Sequence, residues 1–244
     1  IEVFCHGALC MAVSGKCYLS LDNFNTSANR GACVQPCRRG YTVQDRDQEI
    51  TLAIENEYIM SPKDLCTLPF LDKVLDAGVK ILKIEGRGRS PEYTKVTVGV
   101  YSEAVKALQN GEFTEEKIAE WTERLRSVYN RDFWDGYYLG RKTGEWTQRY
   151  GSQATKTKIF VGTVTNFFAK INVAEIRMET QDLKVGDDIM IIGPTTGVYE
   201  DKISEIRVDL KPVEATEKGE LCSIPVKDVI RRGDKVYKVI DAEI

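Results

Sequence analysis

The chain has 244 residues, of which 29% are charged and 42% hydrophobic, enough for one or two domains with a sizeable core. That composition excludes a disordered tail, a collagen-like repeat and a low-complexity chain. With 34 basic and 37 acidic residues the formal charge is -3, so bulk attraction to nucleic acid is not expected, although a local basic patch is compatible with it.

The longest uncharged stretch, between Glu2 and Lys16, is 13 residues and interrupted by Gly and Ser, too short to span a bilayer; no signal peptide is read at the start. The first residue is Ile, and the chain is read as a piece of a longer protein. Ile1 to His6 predicts a strand, with Glu2, Phe4 and His6 sharing one face. A Gly/Cys/Asn-rich irregular segment follows to about residue 41, and Val43 to Ile54 predicts a small hairpin. Tyr58 to Met60 reads as a short strand closed by Ser61-Pro62. Leu68, Leu71, Val74 and Leu75 sit at helical spacing, stopped by Gly78. Val79 to Ile84 predicts a strand running into Glu85-Gly86-Arg87. Ser90 then caps a helix with Pro91 at its first position, lined by Val96, Val100, Ala104 and Ala107 and ended by Gly111. A second helix starts at Thr114, with Glu115 and Glu116 favourable to its dipole, and buries Ile118, Trp121, Leu125 and Val128. Strands alternating with helices predict a parallel sheet.

From Asp132 to Thr157 the pattern loosens into an ordered linker, where Tyr137 and Tyr138, like Trp121, are read as packing. Beyond it the period becomes two. Ile159 to Val164, Ile171 to Ile176, Ile189 to Ile192, Ile203 to Val208, Leu221 to Val226 and Val236 to Ile240 read as strands, with turns at Gly186-Asp187 and Gly233-Asp234. Six short strands at this spacing predict a small antiparallel barrel. Two domains are expected, 1–155 and 156–244.

Of seven cysteines, Cys5, Cys10, Cys17, Cys33 and Cys37 fall in the first 37 residues, and His6 is the single histidine. An odd number crowded at one end points to a reduced, cytoplasmic protein rather than a secreted disulfide scaffold. Four thiolates converging from loops suit an iron–sulfur cluster or a structural zinc. Cys5 and Cys222 are equally well read as buried, inert thiols. Lys83, Glu85 and Arg87 share a parity at the end of a predicted strand, where α/β sheets place ligand sites; Arg89 is read as a solvated loop charge. Arg38-Arg39 are candidates for an anionic ligand. There is no GxSxG or Asp-Thr-Gly, and only His6 is present to serve a Ser or Cys nucleophile.

Glu2-Val-Phe-Cys-His-Gly-Ala-Leu-Cys10, Gly15-Lys-Cys17-Tyr-Leu-Ser20, Asn29-Arg-Gly-Ala-Cys33 with Cys37-Arg-Arg39, Met60-Ser-Pro-Lys-Asp-Leu-Cys66, Ala77-Gly-Val and Lys83-Ile-Glu-Gly-Arg87 together resemble the signature of the peptidase U32, collagenase-like family. The resemblance covers residues 1 to about 110. Residues 158 to 240 resemble the elongation-factor-Tu-domain-2-like barrel that some members append. Within the family the combination is most similar to the prephenate-dependent tRNA uridine hydroxylase branch, which makes 5-hydroxyuridine at the wobble position. The resemblance implies an α/β plus all-β architecture: the C-terminal half of a TIM-like barrel, then a small antiparallel β-barrel. It implies a 4Fe–4S cluster, with zinc as the alternative metal, on Cys10, Cys17, Cys33 and Cys66, with Cys37 the rival fourth ligand. Prephenate, as co-substrate, would be held by Arg38, Lys83 and Arg87, and Glu85, His6 or Glu2 would serve the chemistry. tRNA is the implied partner, with no membrane involved. The competing class is a peptidase, as the family name records.

Overall fold

The computed structural model describes residues 1–12, 17–42 and 58–243; the hairpin expected at Val43 to Ile54 lies outside them. The chain divides into two compact units, one of residues 1–89 and 96–154 and the other of 90–95 and 155–244. Among the described residues no helix is long and apolar enough to cross a membrane.

The first unit is built on a four-stranded sheet. Its strands are β1 (Glu2–Gly7), β2 (Asp64–Cys66), β3 (Ile81–Ile84) and β4 (Phe133–Trp134), in the order β3-β1-β2-β4. The expected all-parallel half-barrel is not what forms. β1 runs parallel to β3 and β2 parallel to β4, but the central pair β1/β2 is antiparallel, with His6 opposite Cys66. Tyr101 fixes that central seam. It lies on α3 (Pro91–Asn110), and its hydroxyl donates to the Cys5 carbonyl at 2.8 Å and accepts from the Thr67 amide at 3.2 Å. Among the described residues this leaves a mixed α/β sheet with β3 and β4 at its edges.

The helices form where the apolar spacing places them. α1 (Tyr18–Phe24) ends on Asn25 in the left-handed region, and α2 (Leu71–Asp76) is entered through a 3-10 turn at Leu68–Phe70. α4 (Glu115–Arg126) is capped by Thr114, whose hydroxyl accepts from the Lys117 amide. Val100, Ala104 and Ala107 from α3, Trp121 and Leu125 from α4, and Leu71 and Val74 from α2 close one core with Cys5 and Cys66 of the sheet. The strand expected at Tyr58 to Met60 lies later, at Asp64–Cys66, and Ile59-Met60 form a turn.

The second unit is an eight-stranded antiparallel sheet. Its strands are β5 (Lys156–Phe168), β6 (Val173–Met178), β7 (Asp188–Gly193), β8 (Gly197–Lys202), β9 (Ile206–Val208), β10 (Lys211–Val213), β11 (Leu221–Pro225) and β12 (Lys235–Asp241). They follow the order β10-β9-β11-β6-β5-β12-β7-β8. The sheet curls round a core that includes Val161, Ile176, Ile191, Ile206, Ile224 and Val236, helped by two bulges in β5, at Val161 against β12 and at Thr165 against β6, that raise its twist. It is not the closed barrel expected: β8 and β10 are edges and do not pair with one another. β8 and β10 are also the two strands absent from the period-two reading. Each puts little apolar surface inward, Tyr199 being the one buried side chain of β8.

Candidate functional site

The C-terminal end of β1 and the loops around it enclose a cavity of about 590 Å³ in the first unit. Its walls come from the chain after β1, the turns carrying the cysteines, the loop after β3, and the segment after α4.

Cys10, Cys17, Cys33 and Cys37 all line this cavity. Cys17 sits at the N-cap position of α1, where the chain is still extended. Cys33 follows a 3-10 turn at Ala28–Arg30 that Gly31 ends at φ +99. Cys37 is inside a second such turn, Pro36–Arg38, entered through Gln35 in the left-handed region. All seven cysteines are free thiols. Burial pushes the Cys37 thiol up, Arg38 opposes that, and Cys10, Cys33 and Cys17 each add to it, so these three lie within electrostatic reach of Cys37. Among the described residues no three His, Cys, Asp or Glu side chains stand at ligating spacing. As a donor set, four free thiols lining one cavity are of the kind that suits a soft metal or an iron–sulfur cluster.

Cys66 lies elsewhere. It is on β2, buried in the helix-facing core, with its sulfur 3.9 Å from the Tyr101 hydroxyl, and burial pushes its thiol up to about 11. Cys5, in the same core, and Cys222, in the second unit, are both pushed up to about 12 by burial, as suits inert thiols.

Arg38 is tied inward. Its Nη1 donates to the Ser61 hydroxyl at 3.1 Å and to the Pro62 carbonyl, and its Nη2 donates to the Leu9 carbonyl at 2.7 Å. Three neutral acceptors thus hold one cation, and burial and then Arg131 lower its pKa. Its neighbour Arg39 is exposed and covers the Phe24 ring at 5.0 Å.

The loop after β3 brings Glu85, Arg87 and Arg89 to the cavity. The Glu85 amide donates to the His6 carbonyl at 2.8 Å, extending the β1/β3 pairing by one step, and the Glu85 carboxylate accepts from the Arg87 amide at 2.7 Å. Arg89, expected as a solvated charge, is instead buried. Its Nη2 lies 2.9 Å from one oxygen of Asp64, and Nη1 of Arg131 lies 3.5 Å from the other. The Asp64 side chain is 1% exposed. Both guanidinium groups cover Tyr129, at 4.0 and 5.1 Å from the ring centre, and Arg131 also donates to Gln35 at 3.2 Å. Asp64 was hidden in the sequence because an acidic residue in a short buried strand breaks the apolar pattern; Arg131 and Tyr129 were hidden because they follow a helix end.

Lys83 and Glu2 are not in the cavity wall. They pair with one another at 2.9 Å, each side chain about half exposed, on the face of the sheet that also shows Phe4 and Ile81. A register shift between Phe4 and His6 breaks the alternation of β1, so Glu2 and His6 do not share a face as expected. Ile81 and Lys83 are exposed while Leu82 and Ile84 pack on the core. His6 is 2% exposed and does line the cavity. Its ring packs on Phe133 and on Tyr101, whose hydroxyl is 3.4 Å from Nδ1. Burial first, then the charge of Arg89, holds its pKa down at about 3, leaving the ring neutral at physiological pH. Trp121, Tyr137 and Tyr138 pack or bond internally, with Trp121 donating to Glu103, Tyr137 edge-on to Trp134, and the Tyr138 hydroxyl donating to the Phe4 carbonyl.

A "Collagenase" of Porphyromonas gingivalis is 57% identical over 238 residues, covering 98% of this chain and 58% of that protein. The "tRNA hydroxylation protein P1" of Bacillus subtilis is 35% identical over 201 residues, covering 80% of this chain and 47% of that protein. The chain thus spans about three fifths of the length of the first and about half that of the second. Among solved structures, the C-terminal domain of a U32 peptidase from Geobacillus thermoleovorans is similar at 16% identity and a TM-score of 0.31, covering 32% of this chain and 96% of that one. The model of peptidase family U32 matches residues 1–148, and the chain belongs to that family.

Proposed function

We propose that this chain carries the metal- and anion-holding part of a cytoplasmic tRNA-modifying enzyme, one that hydroxylates wobble uridine to 5-hydroxyuridine with prephenate as co-substrate. The observation that carries the reading is the meeting of four free thiols and four arginines on one cavity. The similarity to a tRNA hydroxylation protein supports the choice of substrate. Cys10, Cys17, Cys33 and Cys37 would hold a 4Fe–4S cluster; Cys37 takes the fourth place here, in preference to Cys66, because it shares the cavity with the other three. When bound, such a cluster supplies one-electron chemistry or a Lewis-acidic iron. The loop after β3 would supply an anion contact through Arg87 and a proton acceptor through Glu85. With its pKa near 3, His6 is a wall of the cavity rather than its base, and Lys83 and Glu2 act outside it. The antiparallel sheet of the second unit would help to hold the tRNA.

A collagenase-like peptidase is the second reading, favoured by the name of the 57% identical relative. It lacks an activated nucleophile among the buried cysteines, whose thiols are driven up to about 11 and 12. The experiment is made on the full-length protein purified without oxygen: an absorption spectrum with iron and acid-labile sulfide assays, then nucleoside analysis of tRNA from strains carrying Cys17→Ser, Cys37→Ser or Cys66→Ser. A brown protein with matching iron and sulfide, and loss of hydroxyuridine with Cys17→Ser and Cys37→Ser, is expected. Cluster loss with Cys66→Ser and not with Cys37→Ser would return the fourth position to Cys66. A colourless protein that cleaves gelatin would establish the peptidase reading instead.

A further inference from the structure

A buried tyrosine decides what the single histidine of the chain offers to the cavity. Tyr101 is 3% and His6 2% exposed, so neither ring is open to bulk water. Burial first, then Cys66 and Cys5, raise the Tyr101 pKa well above its usual range, which keeps the phenol protonated. A phenol has one proton to give. Tyr101 gives it to the Cys5 carbonyl at 2.8 Å, an atom that can only accept. That carbonyl also takes the Thr67 amide at 3.0 Å. With its proton committed, the hydroxyl oxygen can meet Nδ1 of His6, 3.4 Å away, only as an acceptor. Nδ1 must then carry a hydrogen. The imidazole is neutral, because burial and then the charge of Arg89 hold its pKa at about 3, and a neutral ring has one N–H. Nε2 is therefore the bare nitrogen. The two nitrogens point to opposite sides of the ring, so with Nδ1 turned to Tyr101 in the core, Nε2 is turned away from it. His6 lines the cavity, and Phe133 and Tyr101 hold its plane, at 5.3 and 5.6 Å between ring centres.

We infer that Tyr101 is a positioning residue that locks His6 as the Nδ1–H tautomer, making Nε2 a standing, uncharged hydrogen-bond acceptor on the cavity side that selects a hydroxyl or N–H group of the ligand. This task differs from that of the arginines lining the same cavity, which can only donate. An anionic oxygen at Nε2 meets a lone pair and is repelled, whereas a hydroxyl is held. Tyr101 sets that preference without touching the ligand, through the one proton it places on the far side of the ring. The inference rests on the reading above only for its probe, prephenate, which carries a hydroxyl besides its carboxylates.

The test is a long-range proton–nitrogen correlation spectrum of the full-length protein, purified without oxygen and labelled with nitrogen-15 in its histidine rings. The His6 signals are those that His6→Gln removes. At neutral pH the wild type should show a protonated Nδ1 and a bare Nε2, the Nδ1–H form exceeding the other by about fivefold or more, as one hydrogen bond supplies. Tyr101→Phe keeps the ring and the Thr67–Cys5 bond and removes only the acceptor, so the ratio should fall by about five- to tenfold. By calorimetry the same variant should bind prephenate about three- to tenfold more weakly. Phenylpyruvate, which lacks the hydroxyl, should bind both proteins alike; general loosening of the core would weaken both ligands together. Should Tyr101→Phe fail to fold, the wild type decides: prephenate should move the Nε2 resonance and leave Nδ1 protonated. A wild-type ring protonated on Nε2, or an equal mixture of the two forms, overturns the inference. So does an unchanged ratio in Tyr101→Phe, equal weakening of the two ligands, or bound prephenate that leaves Nε2 unmoved. A ring held as Nδ1–H by Tyr101 in a protein that binds no prephenate supports the inference and refutes the proposed co-substrate.

Discussion

Nη2 of Arg38 donates to the backbone carbonyl of Leu9 at 2.7 Å, so the turn that carries Cys37 is tied to the loop that carries Cys10. The same guanidinium reaches Ser61 and Pro62, which fastens both cysteine-bearing segments to the chain entering β2. Metal sites built on loops depend on such supports to hold their donors in place. Arg38→Ala should therefore reduce iron per chain to well under half of wild type while far-ultraviolet circular dichroism stays unchanged. Arg38→Lys should do little better, because one ammonium cannot span three acceptors on two segments. Full iron loading in Arg38→Ala would mean that the cysteine loops hold themselves.

Gly31 offers a second, separable test. Its φ is +99, and a Cβ built there would lie 2.7 Å from Nη2 of Arg87. Gly31→Ala combines backbone strain, roughly 1–2 kcal/mol, with displacement of the arginine. Gly78→Ala is the control: its φ is +87 and nothing lies within 4 Å of the added atom. Both variants should lower the thermal midpoint by a few degrees, about what 1–2 kcal/mol does to a domain of this size. Only Gly31→Ala should also weaken prephenate binding. Equal binding by the two would detach Arg87 from the ligand.

The parts of the fold legible in the sequence were those whose residues meet their neighbours on a single face. α3 and α4 were readable from Val100, Ala104, Trp121 and Leu125 because a helix shows its buried stripe at a fixed spacing. Cys10, Cys17 and Cys33 were readable as a group, but not which of Cys37 and Cys66 shares their cavity: nothing in a Ser-Pro-Lys-Asp-Leu-Cys run says which side of a three-residue strand its sulfur takes. One bulge in β1 is invisible to a period-two pattern. The register shift between Phe4 and His6 turns one residue over, and with it the expected partnership of Glu2 and His6. Arg89 was misread for a related reason. A charge in a glycine-containing loop is ordinarily solvated, and its burial depends on Asp64, 25 residues earlier, and Tyr129, 40 residues later. Long-range pairing of that kind leaves no local period.

His6 gives a pH dependence with a definite sign. An unfolded histidine titrates near 6.5, and the folded one is held at about 3 by burial and by Arg89. Between those values the unfolded chain binds a proton that the folded chain refuses, so stability rises with pH through this window, by about 1.4 kcal/mol per pH unit, and is flat above it with respect to this group. All three tryptophans, Trp121, Trp134 and Trp146, are in the first unit, so their fluorescence during urea unfolding reports on the unit that contains His6. Unfolding followed at pH 7.5, 6.5 and 5.5 should show the loss on acidification in wild type and a slope smaller by one proton in His6→Asn. The same slope in both would place the titrating group elsewhere.

Loss of Asp64 should cost the first unit heavily. Its side chain is 1% exposed and stands between two guanidinium groups that are themselves 6% and 10% exposed. Asp64→Asn keeps the shape, removes the charge, and leaves Arg89 and Arg131 facing one another across a neutral amide. Removing one partner from a buried ion pair costs about 3–5 kcal/mol, because the remaining charge is left uncompensated. Tryptophan-monitored unfolding should register that loss, and prephenate should restore part of it by supplying carboxylates to the same two arginines. Rescue by prephenate in Asp64→Asn, larger than the stabilisation it gives the wild type, would tie the ligand to the buried pair. A destabilisation that prephenate leaves untouched would make Asp64 a purely structural counter-ion and leave Arg87 to act alone.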